Sequence, residues 1–207
     1  MNAPDPTPPS TPFAEPSPFG LLGLAVGCAA LTPVALGLAI TPEALRTAAW
    51  FCLLFGGAGQ LLSGLMALAN KNLLGGTLFT TFAFNWAMNF WALRELADGR
   101  APDGSVILAV DACFLVIFVV LTYAFAFTSK LLVVFLLDIV LLYTLRIAAA
   151  ILHTAALRPF VAACTVALGA LALWIAFAVL VNGAAGRTVL ALPGPLLHPS
   201  KSPSPGA

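Results

Sequence analysis

Six long apolar stretches fill the chain, and charged residues are almost absent from them. Four stretches contain no Asp, Glu, Lys or Arg, and they cover residues 16–42, 47–70, 72–93 and 159–186. The other two contain three charged residues between them: Asp111 in 104–129, and Asp138 and Arg146 in 131–157. A helix needs about 20 apolar residues to cross the hydrocarbon core of a bilayer. Because a chain in lipid must satisfy its own backbone hydrogen bonds, the pattern predicts an all-α polytopic membrane protein, a bundle of six transmembrane helices.

Prolines and short polar connections mark the expected helix ends. Pro42, Pro102 and Pro159 lie between apolar stretches, where helices commonly end or begin. The connections at 70–72 and 128–130 are so short that the helices they join must be antiparallel neighbours. We expect helices at 19–39, 45–69, 73–95, 104–128, 130–153 and 159–182, which form one transmembrane domain over 19–192. The Pro- and Ser-rich composition of residues 1–18 and 193–207 predicts disordered tails.

Composition narrows the classes of function. Hydrophobic residues make up 61% of the chain and charged residues 8%, whereas a soluble domain averages about 25% charged residues. A net charge of +1 provides no basic surface for nucleic acid. The four cysteines form no CxxC pair, and neither HExxH nor GxSxG occurs. We therefore expect no enzyme, no catalytic residues, no metal site and no cofactor.

Small residues and one amide lie together on the second predicted helix. Gly56, Gln60, Ser63 and Gly64 share one face there, and the first helix carries a GxxxG ending at Gly27. Small residues at this spacing let helix backbones approach closely. Gln60 differs from them, because a side-chain amide in hydrocarbon needs a partner or water.

The third predicted helix carries a line of polar side chains. Thr77, Thr81, Asn85 and Asn89 follow one another at steps of four residues and therefore share a face. Such a line has two interpretations. It either makes hydrogen bonds between helices in a dry bundle or lines a water-filled path.

The three charges inside the predicted helices each cost a few kcal/mol at the bilayer centre unless they are paired or wetted. Asp138 and Arg146 are about 12 Å apart along one helix and on different sides of it, too far for direct contact. Arg146 either extends to the interface or serves a pathway. The short side chain of Asp138 must find a donor, hold a proton or meet water, so Asp138 is the candidate for proton transfer, followed by Asp111.

Four sequence runs resemble one known family. The run EPSPFGL, from Glu15, is similar to the N-P-A-P-[LF]-G-L signature of the bacterial and fungal acetate/succinate uptake transporters. Its residues Glu15, Pro16, Pro18 and Gly20 form the entrance motif. GGAGQLLSG at 56–64, NLLGGTLFTTFAFNW at 72–86 and the pattern Asn182, Gly186-Arg187, Leu190 match further motifs of the family in the same order. The chain departs from the family pattern at Glu15, Phe82, Asn85, Gly183 and Arg146.

The resemblance implies a multi-pass protein of the inner (plasma) membrane with both termini cytoplasmic. It implies a homo-hexamer in the lipid bilayer, in which each protomer passes acetate or related small carboxylates, with or without proton coupling. It also implies an apolar constriction formed by Leu24, Phe82 and Leu137, the last of which lies beside Asp138. Together with the polar residues above, the expected pathway comprises Leu24, Gln60, Thr77, Thr81, Phe82, Asn85, Leu137 and Asp138.

Other functions remain open at this stage. A channel for a small neutral solute, such as urea or another amide, would also suit a polar line beside an apolar neck. A structural or sensory membrane protein would show no solute flux. Lys and Arg divide four to four between the two sides of the predicted bundle, so charge does not orient it.

Overall fold

Six helices make up the bundle in the computed structural model, which describes residues 11–198. They are α1 (Ser17–Ala35), α2 (Pro42–Ala69), α3 (Leu73–Ala97), α4 (Gly104–Phe125), α5 (Lys130–Ile151) and α6 (Arg158–Ala185). The middle of α2, Cys52–Gly59, is a π-helix. All of these helices except α3 are long and apolar enough to cross a membrane. The threonines and asparagines of α3 make it less apolar. The prediction of an all-α, six-helix membrane protein is confirmed.

The first helix is shorter than expected, and its end has a clear cause. Pro33 lies inside α1, and Gly37 adopts a positive φ of 73° just beyond the helix end at Ala35. The Leu38 N–H donates to the Pro33 carbonyl at 2.9 Å, which closes the C-terminal cap. The next helix then begins at Pro42, because Thr41 accepts the Ala44 N–H at 3.2 Å and proline suits the first helical position.

The helices pack in the order α3, α2, α1, α6, α5, α4. The most extensive interface joins α2 to α3, and large interfaces also join α1 to α2, α1 to α6 and α4 to α5. The contact between α3 and α4 is slight. Successive helices are antiparallel. The helices α1, α3 and α5 run in one direction through the bundle, and α2, α4 and α6 run in the other.

Glycines bring α1, α2 and α3 together, as the small-residue faces predicted. A Cβ added at Gly23 would lie 2.4 Å from the Phe55 carbonyl oxygen, in the π-helical part of α2. A Cβ at Gly56 would lie 2.4 Å from the Trp86 ring of α3. The backbone of α2 at Gly23 and the Trp86 ring at Gly56 thus leave no room for a larger residue.

Non-helical segments at both ends contact the bundle. Asn70 bonds both backbone groups of Phe13, with distances of 3.0 Å each. In the segment that follows α6, the Leu196 and Leu197 N–H groups donate to the Ala126 carbonyl at 2.8 and 2.9 Å. These hydrogen bonds connect both segments to the bundle, and the disorder of the two tails stays a prediction. The rest of both predicted tails, 1–10 and 199–207, lies outside the described residues.

Candidate functional site

Two cavities enter the bundle from its opposite ends. The first, which we call the tail-side cavity, has a volume of about 360 Å³ and is lined by the beginnings of α1, α3 and α5, among them Leu21, Leu78 and Leu132. The second, which we call the Arg146 cavity, has a volume of about 320 Å³ and is lined by the later parts of the same helices. Its polar lining includes Asn85, Asn89, Arg146 and Thr165.

An apolar barrier separates these cavities. Leu24 of α1 and Leu136 of α5 are 0% exposed, and Phe82 of α3 is 3% exposed. The ring of Phe82 lies 4.8 Å from that of Phe118, measured between centroids. On α1, Leu21 lines one cavity and Cys28 lines the other, and the seven-residue step between them corresponds to about 10 Å of helix. A short segment of buried apolar side chains therefore lies between the two cavities.

On α5 the barrier residue differs from the expected one. Leu137 is 51% exposed on the outside of the bundle, whereas its neighbour Leu136 is fully buried. Consecutive residues of a helix point about 100° apart, so a register error of one residue moves a side chain from the core to the surface. Leu137 therefore does not lie between the two cavities, and Leu136 is the α5 residue that does.

The polar line on α3 does not form one continuous stripe along the cavities. Asn85 and Asn89 line the Arg146 cavity, but Thr77 and Thr81 line neither cavity, and Thr77 is exposed. Steps of four residues drift by about 40° each on a 3.6-residue helix, or about 120° from Thr77 to Asn89. Only the asparagine end of the line faces the interior space.

Gln60 and Ser63 are buried where α2 meets its neighbours. Gln60 is 0% exposed, lines neither cavity, and has no hydrogen-bond partner among the described residues for either amide atom. The Ser63 hydroxyl donates to the Pro16 carbonyl at 2.9 Å. Ser63 thereby anchors the start of α1, while Gln60 is a fully buried polar side chain in the interface of α2 with its neighbours.

The entrance motif forms the first turn of α1. Pro16, Pro18 and Gly20 are buried, and a Cβ at Gly20 would lie 2.8 Å from the Phe79 ring. Glu15 is exposed, accepts the Ser17 N–H at 3.0 Å and also accepts the Ser17 hydroxyl. Its carboxylate stabilises the helix N-terminus and also lines the tail-side cavity.

The charges inside the helices fall into two groups. Asp138 is half-buried near Cys28 and Cys164, and its Oδ2 has no partner among the described residues. Asp111 of α4 instead pairs with Arg146 of α5, with 3.0 Å between Oδ1 and the guanidinium. The Arg146 guanidinium carbon lies 5.5 Å from the centroid of the Tyr143 ring.

Sequence reasoning missed the Asp111–Arg146 pair, although a signal was present. Asp111 lies 14 residues before the end of α4 at Phe125, and Arg146 lies 16 residues after the start of α5 at Lys130. Two opposite charges nearly equidistant from a tight turn reach the same depth in a helical hairpin. That symmetry, rather than the spacing of charges on one helix, identifies the partner.

A second ion pair lies near the same end of the bundle but outside the cavities. Arg46 of α2 contacts Asp98, which follows α3, at 2.9 Å, and Arg100 contacts the same carboxylate at 3.3 Å. The hydrogen bond from Arg46 lowers the pKa of the Asp98 carboxyl. Both side chains are substantially exposed, so water screens this pair.

Comparison with known proteins places this architecture. No model of a known protein family matches the sequence, and no curated protein matches it either. Among solved structures, that of the bacterial acetate channel SatP matches with a TM-score of 0.78 and 23% sequence identity. The match covers 87% of this chain and 99% of the SatP chain. The six helices of this protein therefore have the fold of the bacterial acetate channel SatP.

Proposed function

We propose that this protein is a membrane channel or transporter for acetate and related small carboxylates, and a member of the acetate/succinate uptake transporter family. The observation that carries the proposal is the apolar barrier of α1, α3 and α5 between two opposed cavities, in a chain with the fold of an acetate channel. The four sequence runs that resemble the family support it independently.

The barrier suits a small carboxylate that crosses briefly. A hydrophobic constriction can gate a pore by remaining dry until it widens. Leu24, Phe82 and Leu136 form the proposed constriction, with Asn85 beside it on the Arg146 cavity. A carboxylic acid in its neutral form crosses such a plug at lower cost than the anion, because a charge in a low-dielectric medium loses its hydration.

Asp138 is the proposed site of proton coupling. Its Oδ2 is buried without a partner among the described residues, two residues after the barrier residue Leu136 on α5. Buried intramembrane acids commonly serve as proton relays. A proton held there would accompany the solute or reduce the negative field that repels an anion.

We further propose a hexamer in the plasma (inner) membrane with both termini cytoplasmic. An even number of spans brings both ends of the bundle to one side. Large apolar side chains of α2 are exposed on the outside of the protomer, among them Trp50, Leu54, Phe55, Leu62 and Leu65. This face would contact lipid or a second protomer. Native mass spectrometry in mild detergent should show a hexamer, and a monomer at every concentration would contradict the assembly.

Uptake into proteoliposomes tests the function directly. Radiolabelled acetate and urea are offered separately to vesicles with the protein and to protein-free vesicles. We expect acetate uptake well above the protein-free control and no added urea uptake. Urea uptake without acetate uptake would favour a neutral-solute channel, and uptake of neither solute would favour a structural or sensory protein.

A further inference from the structure

Resting on the proposed function, we infer that Arg146 is a solute-binding residue. Its guanidinium, held by Asp111, receives the carboxylate of a small monocarboxylic acid in the Arg146 cavity, together with the amides of Asn85 and Asn89. Arg146 is also one of the positions at which this chain departs from the family pattern. The site is therefore a property of this chain rather than of the resemblance.

Arg146 lies where three cavities meet. It lines the Arg146 cavity of about 320 Å³, an open outer groove of about 680 Å³ and a small cavity of about 220 Å³ between α3 and α4. Asn85 and Asn89 line the Arg146 cavity and the small cavity. A solute that enters from the outer groove passes the guanidinium before it reaches the barrier.

The guanidinium has donors to spare. It carries five N–H groups in a planar fork that matches a carboxylate, and the contact with Asp111 at 3.0 Å uses one nitrogen. The Asp111 side chain is 9% exposed and that of Arg146 is 33% exposed. Asp111 lines the outer groove and the small cavity but not the Arg146 cavity, so the remaining edge of the fork is open on the side of the Arg146 cavity. The Tyr143 ring supports it from one face.

The rest of the lining selects a short apolar tail. Leu31, Phe82 and Ile139 provide apolar walls, and the barrier closes the inner end. Asn85 and Asn89, one turn apart, contribute amide N–H donors, and neither side chain bonds to another described residue. A monocarboxylate places its charge at Arg146 and its alkyl group toward the barrier. The second charge of a dicarboxylate would meet the apolar wall.

Asp111 keeps this binding weak enough for transport. Conduction requires a site that attracts the solute and then releases it. A lone guanidinium in a low-dielectric cavity would hold an anion strongly, because Coulomb attraction grows as the dielectric constant falls. Asp111 offsets much of that charge. Loss of Asp111 should therefore tighten binding and slow release.

Two measurements on the full chain test the site: the concentration dependence of acetate uptake in proteoliposomes, and binding of ¹³C-acetate to protein in nanodiscs by saturation-transfer NMR. Arg146→Met should raise the half-saturating concentration about tenfold or more, since hydrogen bonds to charged groups contribute about 1.5–3 kcal/mol. Arg146→Lys should give an intermediate value, because it keeps the charge but loses the planar fork. Asp111→Asn should lower the half-saturating concentration and the maximal rate.

The exposed pair Arg46–Asp98 provides the matched control. Arg46→Met and Asp98→Asn remove the same charges near the same end of the bundle, and they should leave half-saturation unchanged. If they shift it as much as Arg146→Met does, a general field effect replaces the site and the inference is wrong.

The double variant Asp111→Asn/Arg146→Met separates binding from folding. Removal of both partners leaves no uncompensated buried charge, so this variant should assemble even if Arg146→Met alone does not. We expect it to bind acetate as weakly as Arg146→Met. Wild-type half-saturation in the double variant would overturn the inference and leave a purely structural pair.

If the wild-type protein binds acetate through Arg146 but shows no flux, the inference stands and the proposed function fails. If the wild-type protein shows acetate flux and Arg146→Met does not change it, the proposed function stands and the inference fails.

Discussion

Replacement of Leu136 by alanine tests whether the apolar barrier limits transport. Leu136 is fully buried between the two cavities, while Leu137 beside it is 51% exposed. The substitution to alanine therefore removes the same atoms from the barrier at Leu136 and from the outer surface at Leu137. Leu137→Ala is the matched control.

The expected size of the effect follows from the atoms removed. Leucine to alanine deletes three carbons, worth about 0.8 kcal/mol each when buried, or about 2.4 kcal/mol in total. If opening of the barrier breaks the contacts of Leu136, the variant loses that energy only in the closed state. A factor of ten corresponds to about 1.4 kcal/mol, so the open population should rise by up to about 50-fold.

Acetate uptake into proteoliposomes, with thermal stability and oligomer size as parallel readouts, measures the effect. We expect a rise of about ten- to 50-fold in initial rate for Leu136→Ala. We expect less than a twofold change for Leu137→Ala. Leu136→Val removes one methylene and should give a rise of about fourfold, which keeps the test informative if the alanine variant fails to assemble. Equal rates for both alanine variants, or an unchanged rate in a well-assembled Leu136→Ala protein, would refute the barrier.

Three further outcomes are expected. Asp138→Asn should flatten the pH dependence of uptake without loss of assembly; poor assembly with a wild-type pH profile would instead show a structural role. In a cysteine-free background, Asn85→Cys in the Arg146 cavity should react with small water-soluble thiol reagents. The control variant Phe84→Cys should not react, since Phe84 is 65% exposed on the outer surface of the bundle. Equal labelling of the two variants would contradict the assigned cavity lining. Gly23→Ala should lower thermal stability, because its Cβ would lie 2.4 Å from the Phe55 carbonyl, whereas Gly183→Ala, with no atom within 4 Å, should not.

The fold followed from the sequence because bilayer thickness imposes it. Apolar runs of helix-spanning length, prolines at their ends and two very short connections were enough to predict six antiparallel helices. The end of α1 was misplaced by four residues, because the apolar run continues past Pro33 to a glycine turn at Gly37. Hydropathy reports where a helix can continue, but the local backbone decides where it ends.

The site was less accessible from the sequence. Leu24 and Phe82 are buried between the two cavities, and on α5 the buried residue is Leu136 and not Leu137. That these residues form a constriction stays a prediction. The motif match on α5 lacked an anchor, and one residue of register reverses which side chain faces inward. The Asp111–Arg146 pair depends on the depth of two helices relative to a shared turn. Charge patterns within a single helix carry no information on that depth.

The π-helical segment of α2 determines the direction in which the side chains that follow it in α2 point. Cys52–Gly59 precedes the turn that aims Ser63 at Pro16 and seats Gly64 against Thr80. A one-residue deletion here, for example of Gly57, would turn the rest of α2 by about 100°. The serine would then leave the first turn of α1 without its anchor. The length of this glycine-rich stretch is therefore as constrained as its composition, and a relative with a shorter α2 would need a different way to hold the start of α1.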